Sequence, residues 1–163
     1  MDVQILLYEG FDELDAIGPF EVFANATAAG ADLPPTLVTL DDRETVTASH
    51  GLRVGVDGTL DDPDLLVVPG GGWNDRSEAG ARAQVEAGDL PDAVARIAET
   101  DAVVASVCTG GMILAHAGVL DGRPAVTHAG ALDDLRAFDV AVREERVVDD
   151  GDVVTAGGVT SGI

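Results

Sequence analysis

The sequence predicts an α/β domain in which a mainly parallel sheet is covered by helices on both faces. Short apolar runs of the kind that form buried strands recur along the chain. Stretches with helical patterning alternate with these runs, and such alternation is typical of a parallel sheet. With 163 residues, the chain is long enough to bury a sizeable core, so we expect residues 1–163 to form one domain.

The first part of the chain predicts three strands, one hairpin and one helix. The helix is expected to begin at Gly18-Pro19, because proline suits the first turn of a helix, and to continue to about Ala28. The loop Glu9–Asp15 precedes it. The expected strands are Val3–Tyr8, Thr36–Leu40 and Leu65–Val68, and the hairpin consists of Thr45–Ala48 and Arg53–Val56.

The remainder of the chain continues the alternation of strands and helices. Trp73–Gly88 is expected to be loop plus helix, and the stretch that follows has proline in its first turn. A hairpin turn at Asp149–Asp152 is expected to join the last two strand-like runs. The predicted helices are Pro91–Thr100, Gly110–Ala117 and a short one in Leu132–Phe138, and the predicted strands are Val103–Val107, Ala125–Thr127, Val140–Arg143, Arg146–Val148 and Val153–Ala156.

Cys108, the only cysteine in the chain, follows a predicted strand and directly precedes a predicted helix. Ser106 and Gly110 flank it two residues away on each side, which is the small-x-nucleophile-x-small pattern of a nucleophile elbow. The N–H groups and dipole of the following helix would favour a low-pKa thiolate. The alternative is an inert core thiol, but the elbow pattern favours a reactive one.

Four unusual stretches follow predicted strands. In open parallel sheets, binding and active sites lie at the carboxyl ends of the strands, so we expect these stretches to lie close together. The stretches are Glu9–Asp15, Gly70–Gly72, Cys108–Gly110 and Thr127–His128. Their convergence supports a functional site around Cys108.

Several residues in these stretches are candidates for a role beside the thiol. Asp15 could accept a hydrogen bond from the thiol or, if protonated, donate one to the thiolate; the alternative is an acid placed at a helix start. Backbone N–H groups of Gly71 and Thr109 could form an oxyanion hole. Gly72 and His128 are possible pocket residues, with His128 as a possible base. Gly70–Gly72 does not predict a phosphate site, because no G-K-[ST] sequence follows and the chain has no lysine.

The composition restricts the partners. Thirty acidic residues against nine arginines give a net charge of −21, which argues against nucleic acid and anionic membrane as partners. Such acidity is typical of proteins from salt-loving organisms, and the acidic clusters are then solvated surface. No His, Cys or carboxylate spacing predicts a metal, and we expect no cofactor. A small-molecule substrate is the expected partner.

The apolar pattern and the cysteine count bear on location. No apolar run approaches the length of a membrane span, and the first residues lack a basic-then-apolar signal pattern. A single cysteine excludes an intrachain disulfide and fits a reducing compartment. We therefore expect a cytoplasmic protein.

Six segments carry a family resemblance: Leu14–Phe23, Leu66–Gly71, Ser106–Gly110, Ala117–Arg123, Val126–His128 and Thr155–Ile163. In order and spacing they resemble the DJ-1/PfpI (ThiJ) superfamily over nearly the whole chain. The resemblance implies a flavodoxin-like three-layer sandwich with a nucleophile elbow, and usually a homodimer.

Within this superfamily, Asp15 before a Gly-Pro pair and Cys108 followed by Thr109 resemble the isonitrile hydratase-like branch. The resemblance implies that Cys108 is the nucleophile, Asp15 its acid/base partner and Thr109 a positioning or oxyanion residue. The same type of domain occurs in AraC-type regulators, so a redox-sensing or ligand-sensing module without turnover is the alternative. Glyoxalase, deglycase and protease activities are less favoured, because other members carry Cys-His or a Glu at the matching positions.

One departure from the family concerns the end of the sequence. Family members continue past the position of Ser161-Gly162-Ile163 into a further helix that covers the sheet and often joins a dimer interface. We expect either that the sequence continues beyond this point or that an apolar face of the sheet stays uncovered.

Overall fold

A computed structural model describes residues 1–163 and contains eleven strands and five α-helices. The strands are β1 (Val3–Leu6), β2 (Pro35–Thr39), β3 (Thr45–Thr47), β4 (Arg53–Gly55), β5 (Gly58–Thr59), β6 (Leu65–Val68), β7 (Val103–Val107), β8 (Pro124–Ala125), β9 (Ala141–Val142), β10 (Val147–Asp149) and β11 (Val153–Ala156). The helices are α1 (Glu13–Ala28), α2 (Ala81–Ala87), α3 (Asp89–Ala98), α4 (Gly110–His116) and α5 (Leu132–Leu135), with 3₁₀ turns at Ala129–Ala131 and Val159–Gly162.

Seven strands form the central sheet, in the order β10-β11-β7-β6-β1-β2-β5. All neighbours in it are parallel except the hairpin of β10 and β11. Helix α1 packs on β1 and β2 together with the last 3₁₀ turn, whereas α2, α3 and α4 pack on one another and α4 covers β6 and β7. This flavodoxin-like α/β sandwich confirms the predicted fold class.

The carboxyl ends of β1, β6, β7 and β11 lie at one edge of the sheet, and hydrogen bonds join the loops that follow them. The N–H of Asp12 donates to the carbonyl of Gly70 at 2.8 Å. The N–H of Cys108 donates to the carbonyl of Gly157 at 2.9 Å. The predicted convergence is therefore present for the loops after β1, β6 and β7, and the loop after β11, which the prediction did not include, joins them.

Helix α1 begins five residues earlier than Gly18, so the predicted start was wrong. Asp12 is the cap residue, and its side chain accepts a hydrogen bond from the N–H of Leu14 at 3.1 Å. Glu13 and Asp15 lie in the first turn, where the helix dipole favours acidic residues. Pro19 lies inside the helix, so it marks no boundary here. Asp15 is consequently a helical residue and not part of the preceding loop.

Two small strand pairs lie outside the central sheet. β3 and β4 form the predicted antiparallel hairpin. β8 pairs in parallel with β9 and ends at Ala125, so the residues before His128 are not a strand of the main sheet as we expected. The short edge strand β5 carries no apolar alternation, which explains why the sequence pattern did not predict it.

The core is mostly Val, Leu, Ile and Ala, as the composition suggests, with a few aromatic additions. Phe11 is fully buried, and Trp73 and Tyr8 are nearly so. The Tyr8 hydroxyl donates to the carbonyl of Pro69 at 2.6 Å, which ties the end of β1 to the loop after β6. No helix is both long enough and apolar enough to cross a membrane.

Candidate active site

Cys108 occupies the turn between β7 and α4 with a φ of 58°. This left-handed conformation is strained for a residue with a side chain and is the backbone signature of a nucleophile elbow. A Cβ at Gly110 would overlap the carbonyl oxygen of Val68 and lie 2.9 Å from that of Pro69. Only glycine fits at position 110, two residues after the cysteine, which confirms why the elbow pattern requires a small residue there.

Asp15 lies beneath this turn and is 1% exposed. Its Oδ2 accepts a hydrogen bond from the N–H of Gly70 at 3.1 Å, whereas Oδ1 has no hydrogen-bond partner. Burial, and next the charge of Asp12, raise the pKa of Asp15 to about 7, while the Gly70 hydrogen bond and the Cys108 thiol lower it. A carboxyl group with this pKa can both take and return a proton near neutral pH.

The thiol of Cys108 is partly buried, and its pKa is raised to about 12. Burial is the main cause and the charge of Asp15 is the second, while the N–H of Thr109 acts in the opposite direction. The expectation of a low-pKa thiolate was therefore wrong. Helix α4 has only seven residues, and its dipole does not outweigh desolvation beside a carboxylate.

The glycine loop after β6 passes close to Cys108 but uses its N–H groups differently from our expectation. The N–H of Gly71 donates to Oγ1 of Thr109 at 2.9 Å and is therefore not free to form an oxyanion hole. The N–H of Gly72 donates to no group in the chain. A Cβ at Gly71 would lie 2.6 Å from the Asp12 nitrogen, so this position requires glycine for close approach of two backbones.

His128 lines the same cavity as Cys108. Its N–H donates to the carbonyl of Cys108 at 3.3 Å. Its Nδ1 accepts hydrogen bonds from the N–H of Gly130 at 3.0 Å and from the side-chain amide of Asn74 at 3.1 Å. With both donors on Nδ1, the neutral ring carries its proton on Nε2. His128 thus helps to build the wall of the cavity, and nothing in its contacts supports a role as base for the thiol.

Glu13 and His50 also belong to this region, although no sequence pattern pointed to either residue. The main-chain N–H of His50 donates to Glu13 at 2.8 Å, and its ring Nδ1 does so at 2.7 Å. The Ser49 hydroxyl donates to the same carboxylate at 3.1 Å. These bonds hold the tip of the β3–β4 hairpin against α1. The two residues are 37 positions apart, so no local motif could reveal the pairing.

The loops enclose a cavity of about 540 Å³ that opens to solvent and reaches Cys108. The hairpin tip Thr47–His50 forms one part of its wall and the loop Gly71–Asp75 another. Two lining residues, Asp12 and His50, and the neighbouring Glu13 have ligand atoms within 4.8 Å of one another. The Glu13 carboxylate already accepts the hairpin's hydrogen bonds, and Asp12 caps α1, so we infer no metal site from this cluster.

A parallel sheet that presents a cysteine on a strained turn, with a buried carboxyl group beneath it, defines an α/β domain of the nucleophile-elbow class. The whole chain, residues 1–163, matches the DJ-1/PfpI family. The protein belongs to that family.

Three relatives of this chain carry different functional names. The chain is 34% identical to isonitrile hydratase of Pseudomonas putida, over 100% of this chain and 68% of the relative. It is 35% identical to a deglycase of Pyrococcus horikoshii, over 71% of this chain and 68% of the relative. It is 30% identical to the HTH-type transcriptional regulator CdhR of Pseudomonas aeruginosa, over 99% of this chain but only 47% of that protein.

A solved structure supports the same assignment. A ThiJ/PfpI family protein from Pseudomonas syringae is 27% identical and superposes with a TM-score of 0.82 over 99% of this chain. The chain spans 64% of the length of that structure.

Proposed function

We propose that the protein is a cysteine-dependent enzyme of the isonitrile hydratase type, which adds water to a small electrophilic substrate. The observation that carries the proposal is the Asp15 carboxyl group: it is 1% exposed, its Oδ1 accepts no hydrogen bond from nitrogen or oxygen, and it lies close enough to the Cys108 thiol for each group to shift the pKa of the other. A buried polar atom without a partner is costly, so its retention beside Cys108 supports a catalytic role. The similarity to isonitrile hydratase supports the choice of substrate class.

In the proposed reaction, Cys108 reacts from its neutral form. As the sulfur bonds to the terminal carbon of the isonitrile, the thiol proton passes to Asp15 and then to that carbon. The product is a thioimidate on the enzyme. Water then adds to the same carbon, the carbon–sulfur bond breaks, the thiol regains a proton and an N-substituted formamide leaves. A carboxyl pKa of about 7 suits both transfers, because the group exists in both forms near neutral pH.

Backbone groups of the elbow and the glycine loop would stabilise charge during these steps. The N–H of Thr109 points to the sulfur and lowers the pKa of the thiol. The free N–H of Gly72 in the cavity wall could donate to oxygen once water has added. Gly71 would act indirectly, because its N–H holds the hydroxyl of Thr109 in place.

The alternative is a sensing module without turnover, and the similarity to a transcriptional regulator favours it. A redox sensor requires an accessible thiolate. The raised pKa of Cys108 and its partial burial argue against rapid oxidation. The sensing function would therefore have to depend on binding of a ligand in the cavity.

Turnover assays on a panel of alkyl and aryl isonitriles and α-oxoaldehydes test the proposal. We expect formamide production from isonitriles, with at least about a 100-fold loss in kcat for Cys108→Ala and for Asp15→Asn. Asp62→Asn, at the opposite edge of the sheet, is the control and should retain activity. Full activity in Cys108→Ala would contradict the proposal, and binding without turnover of any compound would favour the sensor.

A further inference from the structure

The cavity that reaches Cys108 carries an uneven charge. Three carboxylate side chains line it, those of Glu9, Asp12 and Asp75. No arginine or lysine side chain is among the lining residues. Acidic residues are common on this protein, but here they surround the approach to its only thiol.

Of these three carboxylates, only Glu9 has a cationic neighbour. Arg43, which does not line the cavity, lies 3.7 Å from Glu9 but is closer to Asp41, at 2.7 Å. Asp12 accepts only the capping hydrogen bond from its own helix. Hydrogen bonds from Ser77 lower the pKa of Asp75 and so favour its charged form.

The two histidines of the cavity do not reverse this charge. The ring of His50 is hydrogen-bonded to Glu13 at 2.7 Å, so a protonated His50 and its partner together carry no net charge. Nδ1 of His128 accepts two hydrogen bonds, which is the arrangement of a neutral ring. The field inside the cavity is therefore negative.

We infer that this cavity selects small electrophiles that carry a positive charge, such as those with a protonated amine, and disfavours anionic ones of the same size. The inference rests on the proposed role of Cys108 as the reacting group, and it narrows the substrate class of that site. Glu9 and Asp75 are exposed and Asp12 is half-buried, so salt screens these charges in part, but they line one cavity and their fields add within it. We expect a cation to be favoured over a matched anion by about tenfold or more.

Labelling of Cys108 with two methanethiosulfonates tests the inference without any assumption about turnover. One reagent carries a trimethylammonium group and the other a sulfonate group. In both, the cysteine sulfur bonds to the sulfenyl sulfur, methanesulfinate leaves and the thiol proton goes to solvent. Because the chain has one cysteine, mass spectrometry gives the rate at that site alone. Each rate is divided by that of the same reagent with free 2-mercaptoethanol.

The variants separate the cavity from the net charge of the whole protein. Asp75→Asn and Glu9→Gln should each reduce the cation-to-anion ratio severalfold, and together reduce it further. Asp62→Asn removes one charge at the far edge of the sheet and should leave the ratio nearly unchanged. Raising the salt from 0.1 M to 1 M shortens the screening length from about 10 Å to about 3 Å and should lower the ratio.

A ratio near one in the wild type, or an equal response to Asp75→Asn and Asp62→Asn, would overturn the inference. Absence of isonitrile turnover with a high labelling ratio would instead contradict only the proposed reaction. A cationic and an anionic isonitrile of equal length then extend the test to turnover, where kcat/KM should follow the same order.

Discussion

The elbow and the hairpin are two walls of the same cavity, and each depends on a carboxylate from the first turn of α1. Asp15, under the elbow, is buried, and its pKa is raised to about 7. Glu13, under the hairpin tip, accepts several hydrogen bonds, and its pKa is lowered to about 2, chiefly by His50 and despite its burial. The pKa values of these two acids thus shift in opposite directions, because burial and the charge of Asp12 dominate at Asp15, whereas hydrogen bonds from the hairpin tip dominate at Glu13.

This difference separates the wall where we propose that the chemistry takes place from a wall held by satisfied hydrogen bonds. The Asp15 carboxyl group lacks part of its hydrogen bonding, which costs stability, and it lies where we propose the chemistry. The Glu13 carboxylate has its hydrogen bonds and fixes the hairpin tip. Substitutions that change shape or charge in the elbow wall should therefore alter the stability of the protein strongly. Substitutions in the hairpin wall should alter it weakly.

The largest effect is expected for Gly110→Ala in the elbow. The added Cβ meets the carbonyl oxygens of Val68 and Pro69, which belong to a buried strand end that cannot move freely. We expect a loss of about 3 kcal/mol or more in the free energy of unfolding, measured by denaturant titration. The control is Gly122→Ala, where φ is 72° but no atom lies within 4 Å of the added Cβ. It should cost about 1 kcal/mol. Equal losses would show that close packing is not what requires glycine at the elbow.

The next effect is the pH dependence of stability in Asp15→Asn. The pKa of Asp15 is raised to about 7 in the folded protein, against about 4 in the unfolded chain, so the folded state holds the proton more tightly between these values. Stability from this group is full below pH 4 and is lost as the pH rises to 7. We expect the free energy of unfolding of the variant to exceed that of the wild type by about 2–4 kcal/mol at pH 8. Below pH 4, the free energies of unfolding of the two proteins should change with pH in the same way. A less stable variant at pH 8 would contradict the account.

The smallest effect is expected for Glu13→Gln in the hairpin wall. The amide replaces an acceptor with a donor opposite Ser49 and His50, so one or two hydrogen bonds are lost at a partly exposed site. The expected cost is about 1 kcal/mol. Because the pKa of Glu13 is lowered to about 2, its contribution is present above pH 4.5 and is lost as the pH falls towards 2.

Hydrogen exchange at residues 48–52 measures the local effect of Glu13→Gln, and it should quicken there while the central strands stay protected. Glu21→Gln, on the exposed surface of the same helix, is the matched control. Unchanged exchange at the hairpin tip would mean that the backbone of the hairpin holds the wall without Glu13.

The sequence predicted the elbow wall well, because its determinants are local. Apolar runs placed the strands, and the small residues around Cys108 predicted the turn that its φ of 58° confirms. The start of α1 was missed because Pro19 was taken as a boundary, whereas the capping side chain of Asp12 sets it. The role of Gly71 depends on the side-chain position of Thr109, which no backbone pattern gives.

The docking of the hairpin on α1 and the pKa of the thiol could not be predicted, because both depend on groups distant in sequence. Glu13 meets His50 only after β3 and β4 have folded over α1. The dipole of α4 was expected to favour thiolate, but burial and the proximity of Asp15 outweigh it, and both depend on the folded chain.

The central claim is that Cys108 and Asp15 act as one coupled pair in which the thiol stays protonated at neutral pH. Thiolate absorbance at 240 nm, followed from pH 5 to 11, measures this directly, because Cys108 is the only thiol. We predict little thiolate in the wild type below pH 10, and formation at lower pH in Asp15→Asn, because the charge of Asp15 raises the pKa of the thiol. Half-ionisation of the wild-type thiol near pH 7, unchanged in Asp15→Asn, would contradict the claim.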